Sequence, residues 1–262
     1  MTLLASGDVT EDLLDFKVIG PLTAHQVLLI VVGVFMIVLF WWAARRVQAQ
    51  PRKTGVLALL EVGLVWVRDE VVYPWLGPDR GRRYLPLLWT IFFFILFSNL
   101  FGLLPFPVYP GNHSDALTVA TGDLAVTGAM ALIVFVVIQV SGMQEHGWGK
   151  YWIGLVPAGT PWFLWPLVLV IEFVGLFTKP FALTVRLFAN MLAGHAIFAI
   201  LFAFLIGVEH YAHPIVGLPV TIASASFILF MMLFETLIAL VQAYIFTVLS
   251  AVFISQAVAH EH

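Results

Sequence analysis

An arginine stands in the middle of an apolar run. Arg186 lies between Trp162 and Ile206, in the string FTKPFALTVRLFANMLAGHAIF. A guanidinium stays protonated at any accessible pH. Near a bilayer centre a charge costs at least ~3 kcal/mol on insertion scales, so it faces a protein interior or an aqueous cavity. Other polar residues recur around it at helical spacing. Glu172, Lys179 and Arg186 are seven apart, and Asn190 is four beyond Arg186, which places them in one broad stripe. The next apolar run carries Glu235, Gln242 and Gln256, separated by seven and fourteen. His195 is nine past Arg186, half a turn away from it, and must face a different neighbour. A permanent cation with a titratable imidazole and carboxylate nearby is the inventory for moving an ion, since His195 and Glu235 can both relay protons.

Antiparallel pairing of the two runs sharpens the arrangement. From Arg186 to His195 the chain advances nine residues, and from Gln242 back to Glu235 it retreats seven. Two layers are therefore expected, one of Arg186 with Gln242 and one of His195 with Glu235. Plainer roles exist for each. Asn190 and Gln242 suit interhelical hydrogen bonding, Lys179 can snorkel to a membrane surface, and Glu172 can pair with Lys179. Ser98 and Asn99, near the middle of an earlier run, either line a path or pack. His25, His113, His146, His210, His213 and His260 fall at ends or loops and read as solvated. For Arg186 the plain reading needs a carboxylate, and no acidic residue lies within one turn of it.

The elements that must carry these groups follow from composition. Of 262 residues, 61% are hydrophobic and 10% charged, with a mean hydropathy of +1.01. Soluble domains are about 25% charged, so the chain reads as one integral membrane domain over 1–262, all-α and polytopic. There is no cysteine, which excludes disulfides and thiolate metal sites; no cofactor and no nucleic-acid partner are expected. The acidic N-terminus (Asp8, Glu11, Asp12, Asp15) does not read as a signal or transit peptide.

Five membrane-crossing helices and one interfacial helix are expected. An outer N-terminal segment covers 1–21 and a first span 22–44. Residues 54–76, interrupted by Glu61, Arg68, Asp69 and Glu70, read as a helix at the membrane surface. Spans follow at 84–104 and 124–140, separated by a loop rich in proline (Pro105, Pro107, Pro110). The last two runs, 162–206 and 215–258, are each far longer than the ~30 Å hydrocarbon core requires at 1.5 Å per residue. With no polar turn inside either, they read as two very long, steeply tilted helices, beyond the ordinary 0–40° range, with Pro180 as a kink. Of the twelve Lys and Arg, nine cluster at 45–53, 68, 80–83 and 150. The positive-inside rule makes those segments cytoplasmic. The N-terminus is then periplasmic and the C-terminus cytoplasmic.

At these residues the chain resembles subunit a of the F-type ATP synthases. The match runs from Leu183 through Arg186 to Met191, then Ala193-Gly194-His195; it includes Gln242-Ala243-Tyr244-Ile245-Phe246 and, earlier, Ser98-Asn99-Leu100 through Leu104-Pro105. The resemblance implies a proton-conducting stator with two offset half-channels. It implies the essential stator charge at Arg186, Asn190 beside it, Gln242 facing it, and path roles for Glu172, His195 and Glu235, with Lys179 at a basic position and Asn99 as a lining residue. Some bacterial relatives carry Glu at the position of His195 and His at that of Glu235; the reciprocal arrangement here supports their contact. The implied partners are a ring of c subunits, b-type peripheral stalk subunits, the remainder of the synthase and the lipid bilayer. The implied location is a bacterial inner membrane, although an organelle-encoded chain would look the same. The chain would be a non-catalytic subunit of a proton-translocating complex.

A secondary transporter with an intramembrane arginine substrate site is the competing reading. It calls for helices broken near the midplane and for internal repeats, and no repeat is found. A membrane enzyme is third, and no Gly-x-Ser-x-Gly or His-Glu-x-x-His pattern occurs.

Overall fold

The computed structural model describes residues 17–19, 22–49, 55–103, 124–153, 156, 160–211 and 214–258. A small antiparallel pair, β1 (Lys17–Ile19) and β2 (Leu22–Thr23), leads into helix α1 (Ala24–Ala49). Helix α2 (Val56–Trp66) passes through a π-helical segment (Val67–Val72) into α3 (Tyr73–Leu103). Helix α4 (Leu124–His146) is followed by the short α5 (Trp148–Ile153). A 3-10 turn (Trp162–Leu164) opens α6 (Trp165–Tyr211), and α7 (Pro214–Val258) closes the described chain. The architecture is an all-α polytopic membrane protein, with β1–β2 as a short strand pair beside it.

Among the described residues four helical stretches are long and apolar enough to cross a membrane: Gln26–Val47, Val56–Leu103, Val126–His146 and Thr221–Val258. Helix α6 adds a shorter apolar stretch at Trp162–Thr178. Helix α6 has 47 residues and α7 has 45, which is roughly 70 Å each at the standard rise. Both are more than twice as long as a ~30 Å hydrocarbon core requires.

The expected span limits shift where side chains supply a reason. Helix α1 runs on past Ala44 because Arg45 and Arg46 keep their heads in water from a helical backbone, with Arg45 stacked 3.9 Å over Trp41, and a basic last turn suits the helix dipole. Helix α4 continues past Val140 to His146 because its end is tied to α3. There Arg83 donates to Gln144 Oε1, and Arg80 lies 3.4 Å from Glu145. His146, read as solvated, is half-buried. The expected joint at 207–214 narrows, since α6 persists to Tyr211 and α7 opens on Pro214, a residue well suited to a helix's first position. Helix α6 continues as helix through Pro180.

Residues 56–76 are helical, and they fold back on the span that follows. At Gly77 the backbone takes φ 70, ψ 168, a region essentially closed to other residues. The chain reverses there. Gly81 lies against Tyr73 and Val72, the Trp89 indole N–H donates to the Leu64 carbonyl at 3.0 Å, and Trp66 meets Phe92. Residues 56–76 thus form an arm lying antiparallel along α3. A surface helix over 54–76, as expected from its charges, does not by itself specify this packing on the neighbouring span.

Helix α7 packs most extensively on α3. The core they share buries Leu88, Ile95, Phe246, Ala251 and Ile254 together with Val67, Val71 and Val72 of the arm. Helix α4 packs against both α6 and α7. At its end, the buried Tyr151 hydroxyl of α5 donates to Gln139 Oε1 at 2.9 Å, and burial raises that phenol above its usual range.

Candidate functional site

Helix α6 changes neighbours along its length. Phe177 meets Phe135 of α4 with centroids 5.3 Å apart, and Thr184 Cγ2 lies 4.0 Å from where a Cβ on Gly128 would be. Both contacts step seven residues along each helix, so they share one antiparallel register. Ten residues beyond Thr184, Gly194 meets α7. A side chain there would collide with Glu235, whose carboxylate occupies the space that glycine leaves. Between Thr184 and Gly194, α6 passes from α4 to α7.

Arg186 falls in that interval and is exposed. Thr184, two residues earlier, is buried on α4. Two residues turn a helix by about 200°, so seating Thr184 inward turns Arg186 outward. Among the described residues Arg186 forms no hydrogen bond or ion pair with a side chain.

Glu235 is 5% exposed, and its Oε2 has no hydrogen-bond partner among the described residues. Gln242, two turns along the same face, is 2% exposed. Asn99 is 1% exposed on α3 beside the fully buried Ser98. Glu172 is half-buried on α6. Lys179, Asn190 and His195 lie on α6 by backbone position, and their side chains lie outside the described residues.

Gln256 does not belong to the buried face of α7; it is exposed. The seven-residue step falls about 20° short of whole turns, so three steps from Glu235 carry Gln256 some 60° off the stripe. Sequence reading also passed over Ser224, which is buried. It precedes Glu235 by eleven residues, almost exactly three turns, and that spacing was the available signal. Thr247 and Ser250 are buried too, but their hydroxyls donate to carbonyls of their own helix, Ala243 at 2.7 Å and Phe246 at 2.8 Å.

A bundle of apolar helices that buries a carboxylate and an amide along the face of one long helix, with an arginine outward on the helix before it, is a polytopic membrane protein built around intramembrane ionisable groups. Residues 26–255 match the family described as ATP synthase A chain. The chain belongs to that family, as a multi-pass subunit of the membrane sector. It is 40% identical over 258 residues to the ATP synthase subunit a of Myxococcus xanthus, covering 98% of this chain and 79% of that protein. It is 38% identical over 243 residues to that of Chloroherpeton thalassium, covering 92% and 67%, and 40% identical over 242 residues to that of Anaeromyxobacter dehalogenans strain 2CP-C, covering 91% and 58%. The chain thus spans between about three-fifths and four-fifths of the length of these relatives.

Proposed function

We propose that this chain is the proton-conducting stator subunit of an F-type ATP synthase, with Arg186 as the stator charge facing the carboxylates of a rotating c-subunit ring. The observation that carries the reading is the pairing of an outward Arg186, without a carboxylate among the described residues, with a buried Glu235 seated one interhelical contact away at Gly194. Continued antiparallel from Gly194 and Glu235, the register brings Arg186 level with Gln242.

A protonated carboxyl enters lipid at small cost, and a carboxylate does not. An arriving rotor carboxyl gives up its proton as it approaches the guanidinium, because the positive charge favours its ionised form. The carboxylate passes Arg186 and is reprotonated from a second, offset half-channel. Arg186 blocks a short circuit, since it neither hands on a proton nor lets a protonated site slip by. A potential supplies about 2.3 kcal/mol per charge per 100 mV. Glu235 and His195 serve the outer half-channel, with Asn99 lining it; Glu172 and Lys179 serve the cytoplasmic side, and Asn190 and Gln242 flank the arginine. Titrating groups along this path favour H⁺ over Na⁺ as the ion.

The N-terminus is periplasmic and the C-terminus cytoplasmic, in a bacterial inner membrane, with b-type stalk subunits holding the chain still. Continuous α6 and α7 count against a transporter, whose site is built from broken helices. Arg186→Ala is expected to leave the complex assembled and to abolish ATP-driven proton pumping in inverted vesicles. Normal pumping by that variant would sink the proposal.

A further inference from the structure

The C-terminal turns of α7 lie in the groove between the arm and α3, and two contacts mark the ends of that seat. Trp66 stands between Phe92 of α3 and Tyr244 of α7, with centroids 5.9 Å and 5.4 Å away. Nine residues on, the carbonyl of Trp75 accepts a hydrogen bond from the Ser255 hydroxyl at 2.6 Å. That carbonyl is available because the helix breaks at Gly77 and Pro78 has no N–H, so the last carbonyls of the arm lose their i+4 donors. Both contacts run in the same direction: nine residues of the arm match eleven of α7, about 14 and 17 Å of helix.

Between these ends the buried groups are mostly apolar. The arm offers Val67, Val71 and Val72, all fully buried, and α7 offers Phe246, Thr247, Ser250, Ala251 and Ile254, also fully buried. The Thr247 and Ser250 hydroxyls bond back to their own helix and so do not reach the arm. Apolar contacts are non-directional, so along the arm the directional marks of register are the contacts at these two ends.

We infer that Trp66 and Ser255 are positioning residues that fix the axial register of α7 in the arm–α3 groove, and through it the height of Gln242 and Glu235. Gln242 lies two residues before Tyr244, so a one-turn slip moves it by about 5.4 Å. The functional part of this inference rests on Glu235 and Gln242 being path residues.

The test uses the whole complex in inverted vesicles, with spin labels on the exposed Leu59 of the arm and Leu240 of α7. Ser255→Ala and Trp66→Leu are each expected to shift the register equilibrium by about fivefold, and the two together to add a second label separation and to lower ATP-driven pumping. Ser255→Thr and Trp66→Phe, which keep the hydroxyl and the ring, should retain one separation and near-normal pumping. A single unchanged separation in the Ser255→Ala, Trp66→Leu double variant overturns the inference. Glu235→Gln run in parallel keeps the two ideas apart: if it pumps normally the path reading fails, while the label separations still decide whether Trp66 and Ser255 hold the register.

Discussion

Gly194 and Glu235 occupy one another's space: the carboxylate of α7 rests where a side chain on α6 would be. The group that yields to a new methyl is the end of a flexible glutamate, so the backbone can stay where it is. Gly194→Ala is therefore expected to leave the amount of assembled complex near normal while lowering ATP-driven pumping severalfold, and Gly194→Val to abolish it. Quantitative immunoblotting beside a pumping assay separates the two effects. A proportionate loss of both would mean that the glycine serves packing alone.

The same contact sets His195, the next residue on α6, close to the Glu235 layer. Exchanging the two, His195→Glu with Glu235→His, should pump better than either single substitution, because each single change leaves two like groups in one layer. A double variant no better than the singles shows that they are not partners.

Gly77 is a different kind of glycine. Nothing lies within 4 Å of a Cβ built there, yet its φ of +70 excludes one on backbone grounds. Gly77→Ala should cost about 1–3 kcal/mol, the usual range for such strain. The cost should show as a lower midpoint for heat dissociation of the solubilised complex. An unchanged midpoint would mean that the arm–α3 turn adopts another path without penalty.

The tie between Arg80 and Glu145 is 46% and 42% exposed at its two side chains. Exposed pairs contribute about 0–1 kcal/mol and weaken with salt. Arg80→Ala should thus shift that same midpoint slightly, and less at high ionic strength. A large, salt-independent shift would reveal a buried role for Arg80.

How far the sequence anticipated this arrangement depends on the range of the force involved. The helical period of Glu235 and Gln242 was readable because the face of a helix is set by local geometry. The nine-against-seven spacing of the polar layers anticipated the approach of α6 and α7 near 194 and 235, because an antiparallel register needs only one joint. The Gly77 reversal was not foreseen, since a glycine followed by proline specifies a break but not the direction in which the chain leaves it. Nor was the transfer of α6 from α4 to α7, which depends on apolar contacts such as Phe135–Phe177 that look like any other pair of phenylalanines in such a chain. Gln256 was misplaced by extending a seven-residue step over too many turns.

Thr184 on α4 and Gly194 on α7 act as two piers, and the stretch of α6 between them is a short bridge that bears Arg186. A bridge held at both ends does not swing to meet a visitor. In the proposed function the reach of Arg186 is then that of its own side chain, and the displacement belongs to the ring.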